Sequence, residues 1–464
     1  MSSFSTLNAA STALRAQQRA MEVTGQNVAN VNTDGYSRQR AELRSIGANT
    51  VPAIHSVTNG VGGGVTADQV TRIRDTFLEG RAQVEHATSA RLTVESSTLS
   101  QVEDAFREPG ATGIQSMLAG MWAGFDAVAN APGNLAARSQ LLERAETLAA
   151  GVRTTSATLE QQWDTNRESL GALVADVNAT TESIAALNKA IRSATQAGLP
   201  SNELADQRDV LVLKLADAVG ATSTPGEDGQ VNVVVGGTSL VSGPTSLELR
   251  LAGSGTARGA AGDPPRILTD PGNSVLRVDG TAAGQLGALS VTIPQYLGQL
   301  DGFARSLAGA LNTQHGQGTD LDGGTGGVLF ASTDGTPMTA ANLGVAVSDP
   351  RKVAAASTAT ASLDNRNADL LSQLGNTSGL DGSYRQIITT LGVQSAVSSR
   401  NVGIQAVITS QVDGDRESVS GVSLDEEMTN MLAYQHGYQA AARMVTTIDS
   451  MLEVLITRTG LVGR

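Results

Sequence analysis

Four histidines are the first candidates for acid–base or metal chemistry: His55, His86, His315 and His436. None belongs to an H-x-x-x-H pair or stands at zincin spacing from a glutamate, so no metalloprotease motif forms. They read as surface or loop residues. Asp320-Leu321-Asp322-Gly323 has carboxylates beside a glycine, as a calcium loop does. The D-x-D-x-D-G spacing and the glutamate six residues beyond the glycine are missing, so a Gly/Asp turn is the better reading. Glu203, Asp206 and Asp209 share one helix face beside Arg208. Nothing nearby would raise a carboxylate pKa, which predicts a solvated or inter-helix salt-bridged face rather than a general acid–base pair. Cysteine is absent, which removes thiolate nucleophiles, thiolate zinc sites and disulfides. With no P-loop, nucleophile elbow or dinucleotide fingerprint either, the expectation is no enzyme, no metal and no cofactor.

The function must then lie in the elements themselves. The 464 residues suggest roughly three domains. Lys plus Arg number 32 against 45 Asp plus Glu, a formal charge of −13, and such a chain lacks the basic face that nucleic acid requires. Aromatics at 3% disfavour a large aromatic-walled pocket. Arg15 and Arg19 interrupt the first twenty residues, so no signal-peptide h-region forms. No run approaches the ~20 apolar residues of a membrane span, so no membrane insertion is expected.

Leu7, Leu14, Met21 and Val28 recur every seven residues within 5–31, with small residues between them. That period predicts a helix packed along another helix. It should end at Asn32-Thr33-Asp34-Gly35, where Asp-Gly favours a turn. A short strand is expected over 38–45, and a Gly-rich loop or strand-edge linker over 58–66. Helix is expected from Asp68, again over 114–129, then in one long stretch from Asn134 and in another from Ser201 to Val219. After Gly220 the β-like runs 231–235, 247–251 and 275–278 alternate with Gly, Pro and Asp clusters. Helix returns over 294–313 and 383–410, with Val345-Ala346-Val347 the best strand between them. The strongest signal is the last. Leu424, Met431, Tyr438, Val445 and Leu452, with Glu427, Tyr434, Ala441, Ile448 and Leu455 three residues on, form a seam in which nine of ten positions are apolar or aromatic.

The fold class is therefore mainly α with β insertions: terminal coiled-coil helices, an elongated helical-bundle body and small outer β-rich domains. The terminal helices are assigned to 1–45 and 420–464, and the body to 46–220, 287–318 and 380–419. A β-rich outer domain takes 221–286, and a Gly/Asp-rich, partly β insertion takes 319–379. A helix with one apolar seam needs a partner, because isolated helices are marginal. The two ends can pair with each other and then with other copies.

The segment from Gln26-Asn27-Val28-Ala29-Asn30 through Asp34-Gly35-Tyr36-Ser37-Arg38 resembles the N-terminal signature of the bacterial flagellar axial proteins, the rod, hook and hook-associated subunits. Its Tyr-Ser-Arg-Gln ending looks most like the hook-associated members at the junction between hook and filament. Leu424-Asp425-Glu426-Glu427 and Tyr434-Gln435-His436-Gly437-Tyr438 look like the same members' C-terminal signature. Asn202-Glu203-Leu204-Ala205-Asp206-Gln207-Arg208-Asp209 and Asn312-Thr313-Gln314-His315 resemble their internal segments. The resemblance implies a structural subunit that leaves the cell by flagellar type III export without a cleaved signal. It would be secreted to the extracellular flagellum, where its ends become ordered on assembly. The implied partners are other copies of itself, the hook protein, hook-associated protein 3 and an export chaperone on the C-terminal helix. The implied assembly interface is Leu7, Leu14, Met21, Val28, Asn30, Asp34, Gly35 and Tyr36 with Leu424, Met431, Tyr434, Tyr438, Val445, Ile448, Leu452 and Leu455. The alternatives are another axial protein (hook-associated protein 3 or a flagellin-like chain) and an extracellular adhesin carried on the β insertions.

Overall fold

The computed structural model describes residues 3–47, 62–358 and 363–458. His55 lies outside them. The chain opens with α1 (Ser3–Ala29), followed by β1 (Gln39–Ile46) and β2 (Gly64–Arg72). The two strands pair antiparallel from Gln39 opposite Arg72 to Ile46 opposite Gly64. Helix was expected from Asp68, but the chain stays extended to Arg72. The helix α2 (Thr76–Phe106) begins only where the Asp75 side chain accepts the amides of Phe77 and Leu78, the bond that starts a helix. Gly64 has φ +109°, and a side chain there would collide with Thr12 of α1. The glycine thus lets the hairpin lie against the helix.

The body follows with α3 (Ile114–Asn130), α4 (Leu135–Gln196) and α5 (Asn202–Val219). The 62 residues of α4 span about 93 Å at the helical rise. Leu141, Leu148, Val152, Leu159, Trp163, Leu170, Val177 and Ile184 run down its buried side. Ser201 precedes α5 as expected, but its side chain makes no capping bond. The β-rich part holds β3 (Thr222–Pro225), β4 (Val231–Val235), β5 (Thr238–Ser242) and β6 (Thr245–Ser246) in one antiparallel sheet in that order. Beside it is a second pair, β7 (Glu248–Ala252) with β8 (Arg266–Asp270). The expected strand over 275–278 does not form. Val275 makes only an isolated bridge to Leu268.

Two helices, α6 (Gly280–Gly287) and α7 (Ile293–Gly316), are joined by a π-helical turn over 288–292. The wide turn presents the Leu289 carbonyl to the buried Trp163 indole, which donates to it at 2.8 Å. The short pair β9 (Phe330–Ser332) and β10 (Leu343–Val345) follows. The Gly/Asp-rich stretch also contains a helix that its composition hides, α8 (Arg366–Thr377). The helices α9 (Leu380–Ser420) and α10 (Leu424–Arg458) complete the chain. Among the described residues no helix is long and apolar enough to cross a membrane.

His315 corrects the expectation of a surface or loop histidine. It lies fully buried in the last turn of α7. Its Nδ1 lies 2.7 Å from the Gly327 carbonyl, and its Nε2 accepts from the Ala354 amide at 2.9 Å. A carbonyl only accepts and an amide only donates, so the ring is neutral with its proton on Nδ1. Burial, helped by the nearby Arg138 guanidinium, holds its pKa below the ordinary 6.5. A depressed histidine contributes stability that is complete above the unfolded value and is lost as pH falls through the folded one. We therefore expect the Ala354 amide to be markedly less protected, relative to its intrinsic exchange rate, at pH 5 than at pH 7. Equal protection at the two values in wild type would contradict this role for His315.

Candidate assembly site where the chain ends meet

The first and last helices pack antiparallel. Asn27 of α1 bonds Glu427 of α10 at 3.0 Å, and ten residues along, Gln17 lies against Gly437. A Cβ on Gly437 would sit 3.0 Å from the Gln17 side chain, a tight fit that a small shift of the Gln17 amide would relieve. The inner face of α1 is Ala10, Ala16, Ala20, Val23 and Asn27, all buried. Leu7, Leu14, Met21 and Val28 flank it and are half-buried. On α10 the inner row is Glu427, Tyr434, Ala441 and Ile448. Tyr434 packs on Ala20, Val23 and Ala41. Met431, Val445 and Leu452 are half-buried beside it, whereas Leu424, Tyr438 and Leu455 face outward. Of the two heptad rows in the sequence, the one beginning at Glu427 thus carries the contact with α1.

Asn27 is the hub. Its amide nitrogen donates to the Gln39 carbonyl at 2.8 Å and to Glu427. Its amide oxygen accepts from the Tyr36 hydroxyl and the Gln39 amide, both at 2.9 Å. All four positions of the buried amide are filled. Glu427, with 3% of its side chain exposed, also accepts from Arg38 Nε at 2.7 Å, while the same guanidinium reaches Glu426 at 2.7 Å. Burial and the carboxylates of Asp206, Glu427 and Glu203 push the Tyr36 hydroxyl up to about 12, so it stays a donor.

The turn between Asn27 and Arg38 holds this hub against the body. Asn30 donates to the Gln26 carbonyl at 3.0 Å and accepts from Thr33 at 3.2 Å. Gly35 has φ +76°, and a side chain there would strike Val210 of α5. Asp34 is exposed. It lines two clefts, of about 740 and 540 Å³, that flank the turn. The Ser37 amide donates to Asp206 at 3.3 Å, and the Arg38 amide to the Ser420 carbonyl at 2.9 Å.

Asp206 and Asp209 on α5 form the salt-bridged face expected of them, whereas Glu203 accepts from the Gln26 side chain at 3.3 Å. Arg72 reaches Asp206 and Asp209, both at 2.8 Å, and Arg74 pairs with Asp209. From Arg74 the chain of charges runs to Glu79 at 2.7 Å, Arg416 at 3.1 Å and Asp413 at 3.4 Å. It ends at His86, held at 3.1 Å from Asp413 and 3.2 Å from Asp217. His86 is therefore a half-buried bridge between α2, α5 and α9, not the surface residue expected. His436 is exposed on α10. Sequence reasoning did not single out Asn27 or Glu427 as site residues. One signal was present: Glu427 is the single charged residue in an otherwise apolar seam. Among the described residues no cluster of three His, Asp or Glu is placed to hold a metal ion.

A helical subunit whose first and last helices form one module, joined to a helical body by a turn of polar contacts, is the build of an axial assembly protein. Residues 7–36 match the family model for flagella basal body rod proteins, and 416–458 match that for the C-terminal part of flagellar basal body rod proteins. Residues 99–330 match the model of the flagellar hook-associated protein helical domain. The chain is 30% identical over 511 residues to flagellar hook-associated protein 1 of Bacillus subtilis (strain 168), covering 100% of both chains. It is 25% identical to the Escherichia coli (strain K12) protein of that name, over 97% of this chain and 99% of the other. It therefore belongs to the flagellar hook-associated protein 1 family. A flagellar hook junction protein from Burkholderia pseudomallei shares the fold, with TM-score 0.64 and 18% identity over 74% of this chain and 100% of the other.

Two outcomes test this geometry. Asn27→Ala strips two donors and two acceptors from buried partners, at about 1–3 kcal/mol for each group left unpaired. Limited proteolysis should then cut the 30–38 turn far faster than in wild type, while the melting of the body is unchanged. His86 behaves oppositely to His315. Bonds to Asp217 and Asp413 outweigh burial and raise its pKa above 6.5. A raised histidine contributes stability that is complete below the unfolded value and is lost as pH rises through the folded one. The stability gap between wild type and His86→Gln should accordingly narrow from pH 6 to pH 9. A constant gap would show that the bridge does not depend on the proton.

Proposed function

We propose that this chain is a structural subunit of the bacterial flagellum at the hook–filament junction, where it assembles through its terminal helices and catalyses nothing. One observation carries the reading: the lock of Asn27, Arg38 and Glu427 that folds both chain ends into a single module. Such a module presents one continuous helical surface to neighbours. The large apolar side chains Leu424, Met428, Leu432, Tyr438, Met444 and Met451 stand exposed on it. Full burial of such a side chain contributes about 1.5–3 kcal/mol, and roughly half of it remains to be gained at each of these positions, which supports an assembly interface that extends beyond the α1–α10 contact.

The remaining parts of the reading rest on the terminal motifs. The neighbours would be further copies of this chain, the hook protein on the cell side and hook-associated protein 3 on the filament side. An export chaperone would cover α10 before type III export to the extracellular flagellum. Within the assembly interface the roles divide. Leu7, Leu14, Met21 and Val28 with Met431, Val445 and Leu452 border the intrasubunit pair, and Leu424, Tyr438 and Leu455 face the neighbours. Tyr434 and Ile448 hold the pair together, and Asn30, Asp34, Gly35 and Tyr36 set its angle to the body. Deleting the gene should leave cells with hooks but without filaments, releasing filament monomer into the medium. Cells that lack hooks, or that keep normal filaments, would assign the chain elsewhere.

A further inference from the structure

The body carries a surface that the terminal module does not use. One side of α9 packs on α2 through Leu391, Ser398, Gln405 and Val412, a seven-residue row. Turned from that row is a second one, Val393, Val397, Ile404 and Val407, exposed by 59, 44, 55 and 71%. Between Gln386 and Val412 the sole charged residue is Arg400, on this same side. Among the described residues Arg400 has no carboxylate partner. A solvated helix face in a chain of net charge −13 would carry charges. An apolar face depleted of them is the composition of an interface centre.

We infer that this α9 face packs against a second copy of this chain, body to body. The inference rests on the assembly reading above and extends it outward from the terminal helices. Two observations select the occupant. First, the face leads through Gly421 into the exposed apolar residues Leu424, Met428 and Leu432 of α10. A neighbour that covers α10 is therefore carried along α9 as well. Second, the lone Arg400 needs an acidic counterpart, which the chain itself supplies. Glu143, Asp164, Glu168 and Glu182 are exposed on α4 without an ion-pair partner among the described residues. At 100° per residue they fall within about 60° of one another, forming one acidic stripe. A surface that differs from its complement makes a head-to-tail contact, the kind that builds rings and helical lattices.

The chain without cysteine or masking chemistry suits a photo-crosslinking test. Full-length protein with Val397→p-benzoylphenylalanine is made in the bacterium that assembles it and irradiated in intact cells. A product near twice 47.5 kDa, containing only this chain, is expected. A product with another protein, or none, overturns the inference. Val407→Asp in the same background should abolish the product with melting unchanged. Arg400→Glu should reduce it about two- to fivefold, as for an exposed ion pair. An undiminished product in Val407→Asp would equally overturn it. Labelling the chain's position along the flagellum is a separate readout. Failure of the junction reading is thereby distinguished from failure of the α9 contact.

Discussion

The structure depends on one buried polar contact between residues 400 positions apart, the bond from Asn27 to Glu427. The α1 side of the contact it joins is largely alanine, Ala10, Ala16 and Ala20, and Ala441 faces it from α10 beside Tyr434 and Ile448. Such faces allow close approach but define register weakly, since one alanine replaces another at a shifted position with little loss. A buried amide cannot shift in that way. Moving Asn27 by one turn would leave four hydrogen-bonding positions empty, among them those satisfying Glu427 and Tyr36, and unpaired buried groups are costly. The polar hub thus fixes what the small residues permit.

Arg38 carries that constraint outward. It lies between the hub and the body, with its side chain on Glu426 and Glu427 and its backbone on Ser420 and Ile73. The end of β2 and the residues after it then deliver Arg72 and Arg74 to α5, and the charges continue through Glu79, Arg416 and Asp413 to His86. The terminal module therefore meets the body through directional polar contacts, with clefts on both sides of the connecting turn. The interior of the body is different. Its aliphatic rows on α4 and α7 interdigitate around Trp163 and Tyr296, which tolerates little relative movement.

The sequence made the helices and the seam legible because both express a period. The extents of α1, α3, α4 and α5 follow their apolar rows to within a few residues. The assembly class followed from the two terminal motifs. What stayed hidden had no periodic signal. The strand β2 was missed because Gly62 to Gly64 masked its start and alternation is weak over its nine residues. The helix α8 sits in a stretch whose Gly, Asp and Asn content reads as loop. His315 was misplaced because its burial is decided by loops from residues 327 and 354, which no local pattern announces. The choice between the two heptad rows of α10 was likewise nonlocal. Leu424 and its successors are the more hydrophobic row, yet the row of Glu427 faces α1, because Asn27 and Arg38 are there to satisfy the carboxylate.

That choice inverts the usual arrangement of a packed helix. On α4 the large residues face inward and the small or polar ones outward. On α10 the contact with α1 is made by Glu427, Tyr434, Ala441 and Ile448, while Leu424, Met428, Leu432, Met444 and Met451 face outward. Contiguous exposure on this scale marks an interaction surface. Two helices joined through alanines and a few larger apolar residues, Val23, Tyr434 and Ile448, bury little apolar area, so the ordering cost of their backbones, about 1–2 kcal/mol per residue, is poorly offset within one subunit. The proposed lattice completes the balance by burying the second side. The polar hub then acquires a further role: it holds the two ends in one register, so that the apolar side chains of both helices reach the neighbours as a single surface.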